Sequence, residues 1–432
     1  MMKQRVAATE TRENAYAKAA EEAARHLIGS VSSTGYISAS QKYAWYGPHW
    51  IRDSSWVAIS LLRYSDFSRS AGTLSSPEAL DAATRIIKFN IDTINNCLEG
   101  MERTTKMDFG NRDFFLLSNH IPARVGRNHK AYKDANMDDT GQRDTQHSWQ
   151  MQHDSLPLVL ISLKEKMDLF GLNDEEKNFL SNNCRLFSEY LGKVYLTECA
   201  SAWESDSNKM HAYDIGAIHG AFEALEAFAA NGIVPLTRKE IGNIYNGLYE
   251  GGPMKFVKDH FVKDDIIYGS RFPFSSSPDT SFGVDSATIF LFTDFGLGGG
   301  ALGQSTERSS VAEMERKLFG GNILPVRFEG DRYFMGGRWL LLGLAFADYY
   351  AQNGEGGKAE MIIDYVVGKY KGSYPEQELV NPASPGIDDG SYYQKNGSTM
   401  IQELEWSYAA LIIAVISQAK AEKGIHKGLA RS

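Results

Sequence analysis

Helix-period spacing of apolar residues recurs along almost the whole chain, and that repetition limits the fold more than any other feature. Apolar positions at i, i+3, i+4 and i+7 predict helices over 10–29, 52–65, 77–98, 146–169, 174–193, 211–230, 238–249, 309–319, 337–353, 358–370 and 399–422. Some carry small-residue faces, as at Gly216, Ala217, Gly220, Ala221 and Ala224, which admit a neighbouring helix at short range. Long connections at 30–50, 101–145, 250–308 and 371–398 are rich in Gly, Ser, Asp, Tyr and Phe. Structureless connections beyond about 15 residues are uncommon in compact domains unless they serve a function. Four of them predict loops converging on one site. Short strand-like runs at Ile266–Tyr268 and Thr288–Phe292 read as small hairpins at that end. No linker or low-complexity segment divides the chain. The expectation is a single all-α domain over 1–432, with its helices paired into a closed ring.

Composition narrows the function. With 432 residues, 43% of them hydrophobic, the chain can bury a large core. Aromatic residues make up 12%, and flat rings stack on the apolar faces of sugars, although most aromatics fill cores. The net charge is −9 without a run of Lys or Arg, which argues against a nucleic-acid partner. No stretch approaches the roughly 18 apolar residues needed to span a bilayer. The N-terminus, rich in Ala and Glu, has no signal-peptide core. Cys97, Cys184 and Cys199 are few, odd in number and without metal-ligand spacing, so they read as reduced thiols. Together these features predict a cytoplasmic protein that uses no membrane. His129, His147, His153 and His211 show no paired spacing of a metal helix, so no metal or other cofactor is expected.

Three segments carry chemistry. The first, Tyr43-Ala-Trp-Tyr46-Gly-Pro-His-Trp50-Ile-Arg52-Asp53, sets a fork of donors and an acceptor beside stacking faces, the groups that clamp a sugar by its hydroxyls. The alternative is an Asp53 helix cap with a surface Arg52 over core aromatics. The second is Trp203-Glu204: a carboxyl lodged against an indole has its pKa raised by desolvation, as a general acid needs. The third is Tyr374-Pro-Glu376-Gln377, on a loop before the last long helix, which carries Trp406. Two carboxyl groups flanking a glycosidic oxygen can protonate the leaving group and activate water. Glu204 and Glu376 stand about 170 positions apart, so a ring-like fold is needed to bring them together. Gly298-Gly-Gly300-Ala-Leu-Gly303 formally reads G-x-G-x-x-G, but it lacks a βαβ context and an acidic residue about 20 positions on, and reads as a rim loop.

Taken in order, these segments resemble glycoside hydrolase family 15, the glucoamylases and their relatives. Trp50-Ile-Arg52-Asp53 with Tyr46 resembles the glucose clamp, and Trp203-Glu204 the catalytic-acid motif. Arg327-Phe-Glu-Gly-Asp331-Arg-Tyr333-Phe-Met-Gly336-Gly-Arg-Trp339 resembles the family's Arg-Tyr-x-x-Asp-x-Tyr-x-x-Gly-x-x-Trp run, spacing kept. Pro375-Glu376-Gln377 and Trp406-Ser-Tyr-Ala-Ala resemble the base loop and closing helix, and Trp149-x-x-Gln152-x-Asp154 loosely matches a further segment. The resemblance spans roughly 40–415. It implies an (α/α)6 barrel, with Glu204 as general acid and Glu376 as general base. It also implies that Tyr46, Trp50, Arg52, Asp53, Trp203, Arg327, Asp331 and Trp406 bind an oligosaccharide of α-glucose.

The implied reaction is inverting hydrolysis that releases β-glucose from the non-reducing end of malto- or isomalto-oligosaccharides. Its rivals are an α-1,6-specific glucosidase, a trehalase, and a non-catalytic sugar-sensing domain. The chain departs from starch-active relatives in Ser205 after Glu204, in a longer stretch between Glu376 and Trp406, and in the expected absence of an N-terminal β-sandwich and a starch-binding module.

Overall fold

A computed structural model describes residues 2–42, 46–71, 76–108, 119–130, 151–203, 208–247, 249–272, 275, 277–280, 283–331, 333, 336–378, 401 and 403–424. The chain alternates between two helical layers. Its order is outer α1 (Met2–Ser30), inner α2 (Ile51–Ala71), outer α3 (Ser76–Asn95) with the short α4 (Leu98–Lys106), and inner α5 (Ser155–Phe170). Outer α6 (Asp174–Val194), inner α7 (Ala212–Ala230), outer α8 (Arg238–Asn246) and α9 (Gly252–Phe261), and inner α10 (Ile289–Thr293) follow. Outer α11 (Gln304–Met314), inner α12 (Leu340–Gln352), outer α13 (Gly356–Tyr370) and inner α14 (Glu405–Glu422) complete it. The inner helices pack in sequence, α2 on α5, α5 on α7, α7 on α10, α10 on α12, α12 on α14, and α14 again on α2. The ring closes, and the architecture is the expected (α/α)6 barrel.

Apolar patterning decides which layer each helix joins. α12 is buried at every residue from Leu340 to Ala351, and α14 at every residue from Glu405 to Ile416. A helix that is apolar all round must be surrounded by other helices. α13 instead buries Ala359, Ile362, Ile363 and Val366, one i, i+3, i+4, i+7 stripe, and leaves its other face to solvent. On α7 the small face is used as expected. A Cβ at Gly216 would come within 2.9 Å of Leu291, and one at Gly220 within 3.1 Å of Ile161, so glycine lets α10 and α5 approach closely. Sequence-encoded capping boxes start two outer helices, Asn173 with Glu176 for α6 and Thr237 with Glu240 for α8.

Among the described residues, four two-stranded antiparallel ladders join the connecting segments. They pair β1 (His49–Trp50) with β2 (Arg124–Val125), β3 (Met210–His211) with β6 (Ser270–Arg271), β4 (Val262–Lys263) with β5 (Ile266–Ile267), and β7 (Arg338–Trp339) with β8 (Gln377–Glu378). β1, β3 and β7 each lead directly into an inner helix, so these ladders fix the approach to one end of the ring.

Several expectations need correction. The Thr288–Phe292 run is no strand. Asp285 caps a 3-10 turn, and the run continues as α10, whose residues are all buried inside the ring, so tertiary packing overrides β propensity. The connections at 101–145 and 250–308 are not continuous loops, since they hold most of α4, all of α9 and α10, and the start of α11. The helix expected from 146 starts at Ser155; residues 151–154 are not helical, and 146–150 lie outside the described residues. The Gly298–Gly303 segment links the C-terminal end of α10 to α11, at the opposite end of the ring from the pocket described below, so it is not a rim loop. Among the described residues no helix is long and apolar enough to cross a membrane.

Candidate active site

A cleft with roughly 500 Å³ of open space lies at the end of the barrel where the inner helices start. Tyr46, Trp50, Arg52, Asp53, Trp203, Arg327, Glu376 and Trp406 all line it, as do Ala202, Tyr333, Trp339, Leu341 and Leu404. Segments more than 350 residues apart in sequence thus meet at one point. Glu204 directly follows Trp203 but lies outside the described residues, as do Tyr43, Trp45 and Trp149. Acidic side chains accompany the helix starts: Asp53 in α2, Asp154 before α5, Asp214 in α7, Asp285 before the turn into α10, and Glu405 in α14. The positive ends of helix dipoles favour negative charge there.

Arg52 is not a surface residue, and Asp53 is not a cap but the third residue of α2, which removes the alternative reading of that segment. Arg52 is only 3% exposed, and most of its donors are committed to protein acceptors. Its guanidinium bonds Asp154 and Gln152, donates through Nη1 to the Ala202 carbonyl at 3.0 Å, and through Nη2 to the Ser201 carbonyl at 3.4 Å. Arg52 therefore ties the starts of α2 and α5 to the backbone just before Trp203. Burial pushes the Asp53 carboxyl up to about 7, against the pull of the neighbouring Arg52 charge. Asp214 is raised to about 7 by burial, with the Asp154 charge adding to it.

The opposite wall is built around Arg327. It donates to both oxygens of Asp331, at 2.8 and 2.7 Å, a bidentate pair. The guanidinium also lies over the rings of Tyr333 (4.6 Å), Trp339 (5.0 Å) and Trp203 (5.5 Å). The Asp331 side chain is 1% exposed and is not part of the pocket wall; it reaches the site through Arg327 rather than directly. The Tyr333 amide donates to the same carboxylate at 3.0 Å, closing a turn that needs Gly336. Gly336 has φ +70°, and a Cβ there would stand 2.7 Å from the Asp331 carbonyl.

Glu376 is held at the remaining side. Pairing of β7 with β8 sets Trp339 opposite Gln377, the Glu376 amide donates to the Ile401 carbonyl at 2.9 Å, and the Leu340 amide donates to the Glu376 carbonyl at 3.2 Å. The carboxylate is buried and accepts from the Tyr46 hydroxyl at 3.1 Å; that hydroxyl lies 3.0 Å from the hydroxyl of Tyr333. With Tyr46 donating to Glu376, Tyr333 is the donor to Tyr46. Tyr46 also stacks on Trp50, and Trp406 stacks on Trp56. Trp203 donates its indole N–H to both Asp285 oxygens, at 2.9 and 3.0 Å, and burial raises the Asp285 carboxyl to about 6.

The motif reading assigned no role to Gln152, Asp154 or Asp285, and none to Tyr333 or Trp339. The first two stand in the loosely matched Trp149 segment and the last two in the Arg327 run, so their signal was spacing to a motif. Asp285 carries no such signal. A buried Glu beside a cation and aromatic faces can bind a polyhydroxylated ring and move a proton at its rim.

No family model matches the chain, and no curated protein does either. Solved structures do. A wild-type glycosidase superposes with a TM-score of 0.74 at 18% identity, covering 94% of this chain and 98% of that one; a variant in complex with glucose superposes equally well. The glycoside hydrolase family 15 glucoamylase of Hypocrea jecorina gives 0.59 at 14% identity, over 94% of this chain and 71% of that one. The glucoamylase of Saccharomycopsis fibuligera gives 0.57 at 14% identity, over 96% of each chain. The chain shares its fold with these glycosidases.

Proposed function

We propose that the chain is a glycoside hydrolase of the glucoamylase type: an inverting, exo-acting α-glucosidase that acts as one catalytic domain in the cytoplasm. The observation that carries this reading is the convergence of Glu376, Tyr46, Asp53, Arg327 and the aromatic walls on one cleft, with Trp203, the residue before Glu204, in the same wall. In this reading Asp53 and Arg327 hold the hydroxyls of the terminal glucose, and the rings of Tyr46 and Trp50 meet its apolar face. Arg52 keeps the floor in place and turns its pocket-facing edge to the sugar. Glu204 gives its proton to the glycosidic oxygen as the bond to C1 breaks. Glu376 takes a proton from a water that attacks C1 from the other face, so the water oxygen replaces the leaving group with inversion. Tyr46, donating to Glu376, orients that carboxylate toward the water.

Ser205 follows Glu204 where many starch-active relatives carry a second carboxylate, which supports short oligosaccharides over starch as substrates. The test is thin-layer analysis of the wild-type protein and of Glu376→Gln against maltose, isomaltose, trehalose, maltotriose and soluble starch. Glucose released by the wild type and not by the variant supports the reading, and the best substrate fixes the linkage. Binding of glucose by calorimetry without cleavage of any member of the panel would replace it with sugar sensing.

A further inference from the structure

The segment that leads into Glu204 is clamped from two directions. Its base is closed where Cys199 bridges Lys209, with the Cys199 amide donating to the Lys209 carbonyl at 3.0 Å, and the Ala200 amide donates to the Met151 carbonyl at 2.9 Å. Ser201 takes a positive φ of 46°, a conformation that a non-glycine residue keeps only when its surroundings impose it. Arg52 holds the Ser201 and Ala202 carbonyls from the floor. From the opposite wall, Asp285 accepts the Trp203 indole N–H with both oxygens.

Asp285 is itself fixed. It is 2% exposed, and its Oδ1 also accepts from the Ala287 amide at 2.8 Å. Its backbone bridges Phe328, and the next residue, Ser286, donates to the carbonyls of Arg327 and Val326, both at 2.7 Å. One carboxylate thus joins the Trp203 wall, the start of α10 and the Arg327 segment.

We propose that Asp285 is a positioning residue for the general acid: by gripping the Trp203 indole it fixes Trp203, the residue to which Glu204 is joined. This rests on the reading of Glu204 as the acid. A misplacement of about 1 Å costs roughly a hundredfold in rate, and for an acid that cost falls on substrates whose leaving group needs the proton. Fluoride leaves with little help, whereas a sugar alkoxide does not.

The test compares maltose and isomaltose with α-glucosyl fluoride for the wild type, Glu204→Gln, Asp285→Ala, Trp203→Phe and the Asp285→Ala/Trp203→Phe double variant. Asp285→Ala should lower kcat on the disaccharide about a hundredfold while kcat on the fluoride falls far less and KM changes little. Trp203→Phe keeps a ring but not the N–H; because Trp203 also lines the cleft, it is read by its disaccharide-to-fluoride ratio, which should fall as in Asp285→Ala, so the question stays answerable if loss of the turn cap unfolds Asp285→Ala. The double variant should shift that ratio no further than the single ones, because both break the same Trp203–Asp285 pair. Equal losses on both substrates, no loss, or additive losses would overturn the positioning role. Full disaccharide activity in Glu204→Gln would instead overturn the acid assignment, a failure distinguishable from that of Asp285.

Discussion

Asp53 is a costly residue to keep, and replacing it should separate stability from activity. The residue is 8% exposed, and its carboxyl is raised from 3.8 to about 7 by burial, which outweighs the adjacent Arg52. At pH 8 the folded protein must hold that group ionised; three pH units at about 1.36 kcal/mol each make the cost on the order of 4 kcal/mol. A carboxyl whose folded pKa is raised binds more protons folded than unfolded between about pH 4 and 7, so its penalty is full above 7 and fades as the pH falls to 4. Asp53→Asn removes the charge and keeps the shape. Unfolding entropy of about 2.1 cal/mol/K per residue over 432 residues converts the gain into a Tm rise of about 4 °C at pH 8. Differential scanning calorimetry of both proteins from pH 4 to 8 should show that rise shrinking to about a degree or less at pH 4. Activity should move the other way, since a sugar hydroxyl deprived of its charged partner loses about 1–3 kcal/mol or more. A Tm difference independent of pH, or a destabilised variant at pH 8, would refute the claim that a desolvated charge is kept here.

Two other substitutions probe the remaining walls. Arg327→Met strands the buried Asp331 carboxylate and should cost about 3–5 kcal/mol, seen as a lower melting temperature. Adding Asp331→Asn should restore much of that stability without restoring hydrolysis. Tyr46→Phe removes the hydrogen bond to Glu376, worth about 1.5–3 kcal/mol to a charged acceptor. Its kcat should fall about ten- to a hundredfold in steady-state assays, while the melting temperature drops by no more than about 3 °C.

The fold was legible because both signals it needs are local. Helical period predicted nearly every barrel helix, and the all-round burial of α12 and α14 against the single stripe of α13 is already written in their apolar patterns. α10 escaped because five β-branched, aromatic and aliphatic residues in a row read as a strand, and only the surrounding ring makes them a helix. Residues in the pocket wall were legible where they stood in a spaced motif. For residues that act through another, the position was legible but the role was not: Asp331, expected to bind the sugar itself, belongs to Arg327, and Asp154 and Gln152 belong to Arg52. Asp285 grips an indole 82 positions away, and no pattern in its own neighbourhood announces that. Long-range hydrogen bonds between side chains leave no periodicity behind.

Proton NMR of the sugar anomers in the first minutes of reaction is the most direct measurement of the proposed chemistry. If Glu376 activates a water on the face opposite the bond protonated by Glu204, the two carboxyls must stand about 6.5–9.5 Å apart, and the first product is the β-anomer. β-Glucose should therefore appear first from the preferred oligosaccharide, with α-glucose growing in only as mutarotation proceeds. An initial burst of α-glucose would mean a double displacement, with carboxyls about 5–5.5 Å apart, and would contradict the assignment of Glu376 as a general base.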